Sequence, residues 1–123
     1  MKLFLGAFLL LITFTNFANA QSQVVSASKI AWDQDAPTVV EAQGYTYKYY
    51  PDGFNVGNPL TNVTCAGNTS PFVCNAPFPP FVPGSHSIEI TASNLAGESL
   101  KSNSLAFLFV VTPAIPRSLR IAA

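Results

Sequence analysis

From His86 to Ser93 the chain alternates polar and apolar side chains, then stops at small residues around Gly97. A period of two puts Ile88 and Ile90 on one face and Glu89 and Thr91 on the other. That pattern predicts a half-buried antiparallel strand running into a tight turn. Pro83-Gly84 marks where the chain enters it. A strand with one dry face must lie against another layer, so the segment constrains the chain to a small β-sandwich. It specifies no reaction.

The first residues read differently. Lys2, the apolar run 3–14 and the small-residue site Ala18-Asn19-Ala20 predict an export signal over residues 1–20. The mature chain then begins at Gln21; an uncleaved anchor helix is the alternative. No Cys follows the apolar run, which argues against a lipid anchor. The later apolar run 105–111 ends at Thr112-Pro113 and is too short to span a bilayer. The expected location is secreted or extracytoplasmic: periplasm, cell surface or virion. No stable membrane insertion is expected after cleavage.

Residues 21–112 fit one domain, followed by an extended C-terminal tail over 113–123. The whole sequence holds six basic and six acidic side chains, and removing Lys2 leaves a charge of about −1. So few charges leave no footprint for nucleic acid. Cys65 and Cys74 are the only cysteines, and in an exported chain they are read as one disulfide. Closing the loop 65–74 stabilises by roughly 2–3 kcal/mol. Their spacing suits neither a zinc set nor a redox motif.

No constellation for catalysis stands out. His86 is the sole histidine, and Glu89 on its own strand faces the other way, so a structural role is expected. Asp33 and Asp35 form a close acidic pair and Asp52 sits in another turn, but no calcium loop surrounds them. No serine has a nucleophile elbow, and no glycine loop is built for phosphate. The expectation is no enzyme, no metal and no cofactor. Asn62-Val63-Thr64 and Asn68-Thr69-Ser70 match glycosylation sequons, which matter only in a host that glycosylates exports.

Strands are expected over 24–32, 39–50, 60–65, 72–78 and 104–111 besides the opening one, with no helix. Pro51-Asp52-Gly53 ends the second in a turn. Pro77, Pro79, Pro80 and Pro83 suit a crossing between sheets rather than a central strand.

The order of these signals resembles a fibronectin type III domain. The residues that carry the resemblance are Ile30-Ala31-Trp32, Gly44-Tyr45-Thr46-Tyr47, Pro83-Gly84, and Ala92-Ser93-Asn94 followed by Gly97-Glu98-Ser99. It covers roughly residues 24–111 and implies an all-β, immunoglobulin-like sandwich of fibronectin type III type. Trp32 would lie on strand B, Tyr45 and Tyr47 on strand C, and residues 92–99 at the turn from strand F to strand G. Three features depart from the family. His86 takes the place of a strand F tyrosine, with an imidazole nitrogen replacing the hydroxyl. The Cys65–Cys74 link is not standard. Little room is left for strand A before Trp32. Residues 113–121 are similar to the proline-led strand A, so the tail is either a displaced strand A or a frayed terminus.

Surface chemistry then suggests contact rather than catalysis. On the last strand Ala106, Leu108 and Val110 form an apolar outer stripe on an expected edge, which invites pairing. Phe78 and Phe81 in the proline loop are a second candidate contact; the alternative is that they plug one end of the sandwich. The resemblance implies an exported, non-catalytic binding or structural accessory module for a protein or glycan partner. Two alternatives remain. A carbohydrate-binding module would need Tyr50, Phe54 and Phe78 as an exposed platform. A subunit of an oligomer or fibre would self-associate by edge-strand or tail exchange.

Overall fold

A computed structural model of the chain describes residues 21–122. The expected export signal falls on residues 1–20, outside the described residues. The elements run β1 (Ser22–Val24), β2 (Lys29–Gln34), α1 (Val39–Gly44), β3 (Thr46–Pro51), β4 (Asn58–Pro59), β5 (Thr64–Ala66), β6 (Phe72–Pro77), β7 (Gly84–Asn94), β8 (Gly97–Glu98) and β9 (Leu105–Phe109).

Two sheets form. One has the order β1-β9-β7-β3-β4, with β8 folded back on β7; the other is β2-β6-β5. Every pairing is antiparallel except that of β1 with β9. The chain is thus an all-β sandwich with little helix. The alternation around Ile88 holds as expected: Ile88, Ile90, Phe107, Phe109 and Tyr47 face Ile30 and Ala76 across the core. Phe107 and Ile88 are completely enclosed. Burying a side chain of that size contributes about 1.5–3 kcal/mol.

Four expectations need correction. The expected first strand 24–32 is two strands. Val25 turns the chain, because Ser28 donates its N–H to the Val25 carbonyl and accepts from the Val25 N–H through Oγ. The expected strand 39–50 begins as helix α1. Thr38 caps it, accepting the Glu41 N–H through Oγ1 at 3.1 Å, and Pro37 precedes the cap. The pair Thr38 and Glu41 was the available signal; the β-branched Val39-Val40 obscured it.

The last strand is not a bare edge. β1 pairs with it from Ser22↔Phe107 to Val24↔Phe109, and Val110 donates to the Val24 carbonyl at 2.9 Å. Leu108 and Val110 are half-buried, and only Ala106 of the expected stripe is exposed. Residues 113–122 form no strand and are exposed throughout, so the place beside β9 belongs to β1.

Phe78 is a core residue rather than a contact residue, and Phe81, half-buried, packs against the core beside it. Phe78 is buried, its ring centroid 4.8 Å from that of Phe107; Phe81 meets Phe107 at 4.9 Å. Pro79 and Pro80 hold the crossing from β6 to β7 in a shape that folds both rings inward, closing one end of the sandwich.

Candidate functional site

β2 is an outer strand of its sheet. Its inward face carries Ile30 and Trp32, and its outward face Lys29, Ala31 and Asp33. No hydrogen bond reaches its far edge among the described residues. The neighbouring β1 leaves after Val24 and guards β9 only as far back as Phe107. Residues 99–104, just before β9, therefore lie unguarded opposite β2.

Two serines hold that segment against β7. Ser99 donates its N–H to the Ala92 carbonyl at 2.8 Å and accepts the Ala92 N–H through Oγ at 3.0 Å. Ser102 repeats both contacts at Ile90, each at 2.9 Å. The backbone N–H bonds of Ser99 and Ser102 thus point towards β7, while Lys101 Nζ donates to the Phe54 carbonyl at 3.4 Å. Between it and β2 opens a cleft of about 460 Å³, lined by Trp32, Gln34, Ile90, Ala92, Leu100 and Asn103. A second hollow of about 330 Å³ adjoins it, sharing Gln34, Ala92 and Ser99, and reaches Asp35, Tyr45 and Glu98.

The cleft has an apolar floor and an acidic rim. Trp32 packs edge-on against Tyr47, ring centroids 5.2 Å apart, but is only half-buried. Its indole N–H is enclosed and has no acceptor among the described residues. A buried donor left unpaired costs about 1–3 kcal/mol. Asp33 and Asp35 are exposed beside it. Glu98 stays ionised below the usual carboxylate range, because it accepts from Thr91 Oγ1 at 2.6 Å and from the Tyr50 hydroxyl.

No family model, curated protein or solved structure matches this chain.

The other expected surfaces do not assemble a site. Tyr50 is buried on the outer face of β3, under the Glu98 carboxylate and with the Lys101 ammonium 4.5 Å from its ring centroid. Phe78 is buried as well, leaving Phe54 alone as an exposed ring of the sugar platform considered above. Cys65 and Cys74 are opposed in register on β5 and β6 and are bonded to each other. They sit beneath α1, with Ala42 and Phe72 packed around them.

His86 does have a carboxylate partner. Asp52 comes from the turn after β3, where it adopts φ 52° and its Oδ2 lies 2.9 Å from His86 Nδ1. The other ring nitrogen lies 2.7 Å from the Val82 carbonyl. Both partners are acceptors, so only the doubly protonated ring donates to both. This second contact ties the ring to a carbonyl four residues upstream, just before β7 begins. Sequence reading looked for a partner on the strand of His86 and overlooked Asp52, which pairing brings across from β3. Among the described residues no group of three or more His, Cys, Asp or Glu side chains is placed to hold a metal ion.

Proposed function

We propose that this chain is an exported, non-catalytic binding module of fibronectin type III type, which takes an extended segment of protein along the open edge of β2. The observation that carries the reading is the unpaired β2 edge beside a cleft floored by Trp32 and Ile90. A strand added there gains backbone hydrogen bonds along β2 and puts alternate side chains on the apolar floor.

The fibronectin type III assignment is supported by strand layout. Three strands face a larger sheet in which the Tyr47 strand, the Ile88 strand and the Phe107 strand are neighbours. Export is supported by the bonded cysteines, which persist in oxidising compartments.

Panning random ten-residue peptides against the folded domain tests the reading. Selected peptides should shift the backbone amide resonances of Lys29–Gln34 and Ser99 while leaving β5 unchanged. Peptides that map elsewhere on the molecule would overturn it.

A further inference from the structure

We infer that the occupant of the β2 cleft is the tail of a second copy of this chain, with residues 117–122 entering as an added strand. The inference rests on the strand-capture reading of the cleft and names its partner.

The tail is built for such a site. Ile115, Leu119 and Ile121 are almost wholly exposed, and these apolar side chains touch no core. Leu119 and Ile121 share one face at strand spacing, and Arg120 points to the other. From residue 117 to 122 every residue carries a backbone N–H, so no proline interrupts pairing. The β2 edge offers the complement. Trp32 and the cleft floor take the apolar face, and Asp33, on the outward face of β2, takes Arg120. With the tail antiparallel to β2, placing Arg120 beside Asp33 puts Ile121 beside Trp32. Arg117, on the same face as Ile121, then falls past the end of β2 near the exposed Asp35. The parallel direction would set Arg117 against the buried Ile30. The antiparallel placement also keeps Arg120 away from Lys29 at the other end of β2.

A molecule's own tail lies away from its own cleft: residues 113–122 are exposed throughout and none of them lines it. β9 and β1 run parallel and both arrive at the turn through residues 25–28, from which β2 sets off in the reverse direction. The tail leaves β9 past that turn. Pro113 and Pro116 fix φ and hold Thr112 and Ile115 extended, which keeps the first residues past β9 from folding straight back. Residues 117–122 span roughly 20 Å when extended, which matches the six residues of β2. The tail of a neighbouring copy needs no such reversal. Reciprocal exchange closes a dimer, and one-way exchange propagates a filament.

Light scattering across a concentration series of the chain from Gln21 tests the inference, with variants Asp33→Arg and Arg120→Glu. The unaltered chain should reach at least twice the monomer mass. Each single variant should weaken association about fivefold, in line with loss of one exposed ion pair. Mixing the two variants should restore association, because the altered tail then meets the altered cleft in trans. A chain that stays monomeric at every concentration overturns the inference, as does association indifferent to both variants. If amide exchange shows β2 of a monomer protected by its own tail, the second copy is excluded while strand capture by the cleft survives. If the selected peptides and the tail both miss β2, the strand-capture reading itself falls.

Discussion

His86 and Asp52 hold each other across the β3–β7 pair, Nδ1 to Oδ2 at 2.9 Å, while the same carboxylate accepts the Ser87 N–H at 3.0 Å. The contact raises the His86 pKa above 6.5, chiefly through the Asp52 hydrogen bond and then through the Val82 carbonyl. The same bond lowers the Asp52 pKa below 3.8. Stability from a raised histidine is complete below its unfolded value and is lost as pH climbs through the folded one. Stability from a lowered carboxylate is complete above its unfolded value and is lost as pH falls through the folded one. The pair therefore contributes most between the ordinary Asp value of 3.8 and the ordinary His value of 6.5. Melting temperature followed from mildly acidic to alkaline pH should fall faster above 6.5 for the parent chain than for Asp52→Asn. Parallel curves would remove the coupling.

A glutamine guards the edge of the smaller sheet. Gln43, on α1, accepts the Cys65 N–H through Oε1 at 2.7 Å and donates Nε2 to the Val63 carbonyl at 2.5 Å. One side chain thus serves both a donor and an acceptor of β5, as a paired strand does. Gln43→Ala should destabilise by about 1–2 kcal/mol in urea unfolding, the loss of two hydrogen bonds in a partly solvated place. Gln43→Glu keeps the acceptor and loses the donor, so it should fall between. Faster exchange of the Cys65 amide in the alanine variant would localise the effect.

Gly57 is required by the ring it lies against. A Cβ at that position would stand 2.7 Å from Cζ and 2.8 Å from the hydroxyl of Tyr50. That ring is fixed by its hydroxyl bond to Glu98 and by the Lys101 ammonium over its face, so it has little room to yield. Gly57→Ala should cost about 1–3 kcal/mol as the ring is forced aside. It should also release Glu98 from the Tyr50 hydroxyl and let the carboxyl titrate closer to its ordinary range. Carboxyl chemical shifts against pH would read that release directly.

The strands were legible wherever one face is dry and the other wet. Residues 84–94 alternate because Ile88 and Ile90 meet the core and Ser87 and Glu89 do not, and period two follows. The cysteine pair was legible because the sequence holds two cysteines and no other, an even count that suits one bond. Helix α1 was obscured because one turn of helix offers too few residues for a 3.6 period, and its capping pair was the sole local cue. The partner of His86 was obscured for a different reason. Asp52 lies in the turn after another strand, and only the register Pro51↔Ile88 brings it close. The cleft depends on where β1 stops pairing, which no local pattern encodes. The edge was expected on β9 because the resemblance makes the last strand an edge; β1 begins ahead of the expected first strand 24–32 and only Val24 belongs to both.

Tyr47 links the helix to the disulfide, and its hydroxyl should report both. It donates to the Ala42 carbonyl at 2.7 Å and lies 3.9 Å from the sulfurs of Cys65 and Cys74. Burial, with a smaller repulsion from Tyr45, pushes its pKa up to about 12. In a spectrophotometric titration one phenol should therefore ionise last, near 12, and disappear from the curve in Tyr47→Phe. That variant leaves the Ala42 carbonyl with only the longer bond from the Tyr45 N–H, at 3.4 Å, and should cost about 1 kcal/mol. Replacing both cysteines by serine removes the closed loop 65–74 and should cost about 2–3 kcal/mol. The two effects should not add. Both loosen α1 from β5, and neighbours that share one contact set couple in a double-mutant cycle. Strict additivity would mean that the hydroxyl and the disulfide act on separate parts of the fold.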